Sequence, residues 1–443
     1  MLDYKNQLAA ILPTALEGSV VRTVGSAVAV AGLPAPVGGL VSIERQAGGP
    51  VEAEVIGLGH ELTLVFPWGD LQGVRHGNRV RLVRTKGHLP TGEGLLGRIV
   101  DARGHCIDGR PRPFLAGRTL LERRAPKATQ RPRITAPLAT GVRALDGLLT
   151  CGKGQRMGIF SGSGVGKSTM LGMMARHTSA EVNVIALVGE RGREVNDFIE
   201  RDLGRDGLAK SVVVVATSDE PAPLRVRAAF AATAIAEFFR DQGRDVLLMM
   251  DSLTRFALAQ REIGLAAGEP PTTRGFPPSV FAILPRLVER AGLTPQGSIT
   301  AFYSVLVEAD DPNEPISDAV RGFLDGHTWL SRKLANRGHY PAIDVLESTS
   351  RMMSEVATAD HQQAAHALRE LLAAHRDHED LISLGAYQRG SNGLVDAALE
   401  MHDPIQKFLR QRIDEPVTLE AAREQLVQLG RRCAHRPAGK PAA

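Results

Sequence analysis

The run Ser161-Gly162-Ser163-Gly164-Val165-Gly166-Lys167-Ser168-Thr169 sets glycines, one lysine and adjacent hydroxyls at a spacing suited to a triphosphate. Gly162, Gly164 and Gly166, with Ser163 and Val165 between them, let backbone N–H groups converge on the β- and γ-phosphates. The N-terminus of the following helix adds its dipole. Lys167 would bridge the β- and γ-phosphates, and the Ser168 hydroxyl would ligate Mg²⁺. A strict phosphate-loop pattern asks for glycine where Ser161 stands. At a strand exit a small residue suffices.

Two acids fit the same chemistry. Val246-Leu247-Leu248-Met249-Met250 is an apolar run ending in Asp251, where a carboxylate can hold Mg²⁺ through water. Val184-Ile185-Ala186-Leu187-Val188 runs into Gly189-Glu190-Arg191. An acid at the carboxyl edge of a neighbouring strand can polarise the attacking water as general base. Acids at strand ends are common in α/β proteins, so the phosphate loop carries most of the signal. Arg351 follows Ser348-Thr349-Ser350; an isolated arginine is ordinarily a surface ion-pair partner. His361, His366, His375 and His378 cluster in sequence, but their spacing does not bring all four to one helix face. A solvated helix surface therefore fits them better than a metal site.

These residues need strands and helices to aim them. Arg156–Phe160 reads as a strand entering the glycine loop, with Met170–Arg176 helical after it. Further apolar runs at 182–188, 212–216, 246–250 and 299–307 alternate with helical segments, which predicts a parallel sheet covered on both faces. Upstream, from about Gly18 to Val83, short alternating runs broken by glycine predict a small barrel. Glu122 to Pro137 reads as an exposed basic strap. Leu8, Ile11, Leu12 and Leu16 fall at helical spacing, suiting either packing on the chain's own domain or an adaptor-binding tail. After about Val356 the chain reads as helical, with Leu419, Ala422, Leu426 and Leu429 on one face.

Bulk properties bound the reading. The 443 residues allow two or three domains and a large core. A net charge of +4, from 53 Lys plus Arg against 49 Asp plus Glu, spreads too thinly to indicate nucleic acid. Cys106, Cys151 and Cys433 have no metal-type spacing and fit a reducing cytosol. No apolar run approaches a membrane span, and the first residues lack the pattern of a signal peptide.

Pro341-Ala342-Ile343-Asp344 through Ser348-Thr349-Ser350 resembles the signature of the α/β subunits of the rotary ATP synthase superfamily, and the likeness extends over almost the whole chain. Within that superfamily the chain is most similar to the export ATPases of type III secretion, especially the flagellar branch. Three segments carry this: Gly154–Ser168, Glu190–Val195, and Asp251–Ala257 running on to Arg261-Glu262. The resemblance implies an α/β fold with a RecA-like P-loop core and parallel sheet, preceded by an N-terminal β-barrel and followed by a helical C-terminal domain. The corresponding boundaries are 1–17 for a helical segment, 18–90 for the barrel, 91–355 for the ATPase domain, and 356–443 for the helical domain and tail.

By the same resemblance, ATP and Mg²⁺ are the expected cofactors. Thr169 would sit near the α-phosphate, and Glu190 would be the catalytic carboxylate. Arg191 and Arg255 would lie near the γ-phosphate, with Asp251 as the magnesium-side acid. Tyr340 would pack against adenine. Arg351 would be an arginine finger reaching the adjacent subunit of a homohexamer. Expected partners are export-gate membrane proteins, a stator-like regulator, a central stalk protein and chaperone–substrate complexes, in a cytoplasmic complex peripheral to the inner membrane.

Other readings share parts of this pattern. A virulence-type secretion ATPase has the same chemistry; the flagellar choice rests on Asn183–Arg191 and its surroundings. A rotary proton-coupled subunit is disfavoured by the text around Asp251. A hexameric nucleic-acid translocase should interleave stacking aromatics with basic residues in its first domain, and the predicted barrel offers Phe66 and Trp68 alone. A catalytically silent subunit is disfavoured because Lys167 and Glu190 are both present.

Overall fold

The computed structural model describes residues 15–59, 61–307, 311 and 314–434. Strands β1 (Glu17–Val24), β2 (Ala27–Ala31), β3 (Leu40–Ile43), β4 (Val51–Gly59), β5 (Leu62–Pro67) and β6 (Arg79–Arg84) close into a barrel, in the order β1-β2-β5-β4-β3-β6. Their alternation sends every second side chain inward. Val28, Val30, Val41, Ile43, Val55, Val65 and Val80 fill the interior. Leu16 is not helical: its carbonyl accepts from the Leu82 N–H at 2.9 Å, and its side chain packs on the barrel core. Leu8, Ile11 and Leu12 lie outside the described residues.

The second unit is built on a nine-stranded sheet. Its strands are β7 (Arg98–Asp101), β8 (Arg156–Ser161), β9 (Val182–Val188), β10 (Ser211–Ala216), β11 (Asp245–Asp251), β12 (Ser298–Leu306), β13 (Gly326–Leu330) and β14 (Ile343–Ser350), with Gly292–Leu293 paired beside β12. The order is β14-β13-β8-β12-β11-β9-β10-β7, parallel from β13 to β7, and β14 runs antiparallel at the edge. Continuous apolar runs are required because both faces are covered. In β9, Val184 and Ala186 pack into one core while Ile185 and Leu187 pack into the other. Each buried Val, Ile or Leu among them stabilises the fold by roughly 1.5–3 kcal/mol.

Helix α1 (Lys167–His177) follows the phosphate loop, α2 (Ala222–Arg240) crosses the sheet, and α3 (Leu253–Ala266) follows Asp251. Ser252 caps α3 through its hydroxyl, which accepts from the Arg255 N–H at 3.2 Å. The strap from Glu122 to Pro137 is largely exposed and is tied down by Arg131, whose guanidinium donates to the Ala291 carbonyl at 2.9 Å.

The chain ends in α4 (Ala359–Asp377), α5 (Gly393–Leu409) and α6 (Leu419–Ala434). Ala422 and Leu426 are fully buried, and Leu429 packs against the same core. Arg369 donates to the Leu148 carbonyl at 3.1 Å, and Arg376 pairs with Asp344 at 2.6 Å, so polar contacts also fasten α4 to the sheet unit. The solvated-surface expectation fails at His361, which is buried with its Nε2 2.6 Å from the Gly147 carbonyl. One face of α4 must enter the core, and an imidazole can do so when a carbonyl partners its ring nitrogen. His366 is exposed, and the His375 ring stacks on His402 at 4.2 Å. Among the described residues no helix is long and apolar enough to cross a membrane.

Candidate active site

β8 enters the phosphate loop and α1 leaves it, so the loop lies at the carboxyl edge of the parallel sheet. Gly164 and Gly166 adopt φ of 75° and 89°. These left-handed conformations suit glycine and turn the backbone tightly enough to aim its amides at one point. No side chain caps the start of α1, leaving its first-turn N–H groups to an anion. Ser161 is fully buried at the end of β8 and its carbonyl accepts from Val307 N–H at 2.9 Å. Ser163, Gly164 and Ser168 are exposed, Lys167 and Thr169 half-buried, and Val165 inserts into the core.

Two strands away, β11 delivers Asp251, nearly fully buried. The Lys167 ammonium engages Asp251 Oδ1 directly. The neighbouring β9 delivers Glu190 just beyond its last residue. Burial pushes the Glu190 carboxyl up to about 7; the Asp251 charge and a hydrogen bond with Glu194 push the same way, while Lys167 and Arg255 oppose. Glu190 Oε1 is buried with no hydrogen-bond partner. An orphaned carboxylate oxygen beside a lysine and an acid suits a group that must accept a proton from water.

Gly189 makes this corner possible. It has φ of 73°, and a β-carbon there would fall 2.9 Å from the Arg255 Cβ. Arg255 therefore packs its stem over the residue before Glu190, with its Nε buried and unpartnered. Arg191 points outward, 76% exposed, and pairs with Glu194 at 3.4 Å. The structure thus brings Lys167, Asp251, Glu190 and Arg255 to one edge and leaves Arg191 at the rim.

Tyr340 rests over the loop from the other side. A β-carbon at Gly166 would fall 3.3 Å from its ring. Its exposed ring borders an open cleft of about 600 Å³ shared with Arg143, Gln406, Arg410, Gln411 and Arg412. Gln411 ties the far wall to the core, accepting from Arg143 N–H at 2.7 Å and donating to the Gly141 carbonyl at 2.9 Å.

Arg351 is elsewhere. Its N–H donates to the Asp325 carbonyl at 3.0 Å, and the Asp325 N–H donates to Arg156 at 2.9 Å. Arg156 begins β8, so Arg351 sits one strand length, roughly 16–20 Å, from its own phosphate loop. It is exposed at that opposite edge.

Sequence reading passed over two residues that touch the site. Arg332 donates to the Ser163 carbonyl at 3.2 Å and braces the loop. Ser304 donates to Asp251 Oδ1 at 2.6 Å from within β12. Ser304 is one of four hydroxyl-bearing residues in β12, with Ser298, Thr300 and Tyr303, so its spacing alone does not single it out. Nothing in the spacing of Arg332 distinguishes it from a surface arginine.

The uncapped helix start, the positive-φ glycines and the orphaned Glu190 oxygen together fit a nucleoside triphosphate with a divalent cation. The ATP synthase alpha/beta family nucleotide-binding domain matches residues 141–350, and the type III secretion EscN ATPase C-terminal domain matches residues 357–428. The flagellum-specific ATP synthase of Bacillus subtilis is 51% identical over 414 residues, covering 93% of this chain and 94% of that protein. The type 3 secretion system ATPase of Xanthomonas euvesicatoria is 51% identical over 413 residues, covering 93% of each. The assembled ATPase EscN of the enteropathogenic E. coli type III secretion system superposes with a TM-score of 0.89 at 44% identity, covering 93% of this chain and 100% of EscN. EscN in complex with its central stalk EscO gives 0.87 at 43% identity, with the same coverage. With its phosphate loop, buried acids and full-length likeness in one chain, the protein belongs to the ATP synthase α/β family, in the branch of flagellum-specific and type III secretion ATPases, and it is an ATPase.

Proposed function

We propose that this chain works as a homohexamer, in the cytoplasm and peripheral to the inner membrane, hydrolysing ATP with Mg²⁺ to energise protein export through a flagellar type III apparatus. One observation carries the catalytic part: Lys167, Asp251 and Glu190 share one sheet edge while Arg351 lies a strand length away at the other. A finger so far from its own loop can serve only a neighbour's site. Arg255 and the rim-lying Arg191 are assigned to the γ-phosphate, Thr169 to the α-phosphate and Tyr340 to the base.

The chain's own groups divide the work. The loop amides and Lys167 bind and orient the β- and γ-phosphates, with Ser168 and Asp251 on the metal side. Magnesium, when bound, neutralises charge developing between those phosphates. Glu190 takes the proton of the attacking water; a carboxyl pushed up to about 7 is well matched to that task near neutral pH.

The assembled EscN structure, and its complex with the stalk EscO, support a ring around a central stalk. Export-gate proteins, a stator-like regulator and chaperone–substrate complexes complete the proposed partners. The barrel strands Glu17–Val24 to Arg79–Arg84, the sheet unit and the helices from Ala359 to Ala434 support domain boundaries of 18–90, 91–355 and 356–443. The Asn183–Arg191 text favours the flagellar system, and relatives of both kinds are similarly close. A deletion strain that stops swimming, and is rescued by this chain but not by Lys167→Ala, is the expected result. Normal swimming with lost secretion of virulence substrates would move the assignment to the other system. Purified chain should also hydrolyse ATP as a self-assembled ring; a requirement for a second subunit type would overturn the homohexamer.

A further inference from the structure

Strand β12 lies between β8, which feeds the phosphate loop, and β11, which ends in Asp251. Pairing sets Met250 beside Tyr303 and Ile159 beside Ser304, so the next residues along, Asp251 and Ser304, stand side by side. Around it Ala301, Phe302 and Val305 are fully buried, and Ser304 is buried with them. A hydroxyl at such a position needs a partner. Ser304 finds it in Asp251 Oδ1 at 2.6 Å, the same oxygen that receives the Lys167 ammonium. Among the described residues no hydrogen bond reaches Oδ2 of that carboxylate.

We propose that Ser304 is a positioning residue for the magnesium side of the site, fixing Asp251 so that Oδ2 faces a metal-bound water. The assignment rests on the reading of Asp251 given above. Lys167 serves two acceptors: Asp251 and, when nucleotide binds, the phosphates. As the phosphates draw the ammonium toward them, Oδ1 loses one of its two donors. Ser304 stays, because it is anchored in a sheet strand rather than on a long flexible stem. The carboxylate therefore keeps its rotamer through the exchange, and its free oxygen keeps its aim.

The test uses the full chain and measures binding of a non-hydrolysable ATP analogue by calorimetry, in Mg²⁺ and in EDTA. Threonine and valine have the same shape, so Ser304→Thr and Ser304→Val separate the hydroxyl from packing. Ser304→Thr should keep the Mg²⁺ enhancement of affinity. Ser304→Val should lose about tenfold of it, the worth of one hydrogen bond to a charged acceptor, with affinity in EDTA unchanged. Ser304→Ala gives the same reading should valine prevent folding, which a thermal melt reports. Full enhancement in both Ser304→Val and Ser304→Ala, beside a loss in Asp251→Asn, would overturn the role of Ser304 alone. Full enhancement in Asp251→Asn would overturn the reading of Asp251 itself.

Discussion

Tyr340 touches Gly166 so closely that a β-carbon on the glycine would fall 3.3 Å from two carbons of the ring. The phosphate loop and the wall of the neighbouring cleft are therefore one packed unit. Gly166→Ala meets both this contact and a φ of 89°, and should lose nucleotide binding outright by calorimetry. Tyr340→Ala should weaken nucleotide binding by roughly tenfold or more, the scale of one base–aromatic stack. The loss should appear in KM more than in kcat, because the base does not react. A kcat loss at unchanged KM would remove Tyr340 from the base site.

Lys167 and Glu190 should separate binding from chemistry. Lys167→Ala is expected to abolish turnover and weaken binding, since phosphate attraction goes with it. Glu190→Gln keeps the shape and should retain binding while lowering kcat by about 10² or more. Turnover near normal in Glu190→Gln would show that the proton goes elsewhere.

The pH profile follows from the carboxyl of Glu190. The base works deprotonated, and its environment pushes the group up to about 7. kcat/KM for ATP, which reports the free enzyme, should fall as pH drops through that value. A flat profile from acid to neutral pH would contradict the assignment.

Arg351→Ala should lower turnover by roughly 10³-fold or more, as loss of an arginine finger does, without changing the melting temperature of the monomer. Mixing gives a sharper check. Lys167→Ala subunits have a dead site but an intact Arg351; Arg351→Ala subunits have the reverse. Mixed rings should recover ATPase activity that neither variant shows alone. Absence of recovery in rings proven mixed would rule out action on a neighbour.

A fifth outcome concerns the seam between barrel and sheet unit. Glu54 of β4 faces Arg227 of α2 beside Trp68, whose ring centre lies 5.1 and 5.3 Å from the guanidinium carbons of Arg227 and Arg103. Burial raises the Glu54 carboxyl from 4.5 to about 7, against the pull of Arg227. Between those values the folded chain retains a proton that the unfolded chain has released, so stability falls as pH rises through that window. Glu54→Gln removes the titration. Its melting temperature relative to the parent should improve by a few degrees from pH 5 to pH 8. Parallel curves would place Glu54 in contact with water.

The same seam shows why some of the molecule was unreadable beforehand. In the sequence Trp68 is only one of two aromatics in the barrel segment, and the tertiary structure buries it beside Arg227 of α2. His361 read as solvated because helical spacing alone does not say which face meets a neighbour. The spacing of Leu16 from Leu8, Ile11 and Leu12 suits a helix, and the edge of β6 captures it instead. In each case the deciding contact joins residues far apart in the chain.

What the sequence by itself determined is local and periodic. Glycines beside Lys167, apolar runs closed on both faces, and acids at the ends of those runs are properties of adjacent residues, and short-range sterics and burial suffice to read them. Tertiary structure alone decided which acids meet. Strand order sets Ser304 against Asp251, aims Lys167 at the same oxygen, leaves Glu190 with an orphaned one, and puts Arg351 beyond reach of its own loop. Those relations depend on how strands separated by many tens of residues pair, a choice governed by the packing of the whole sheet.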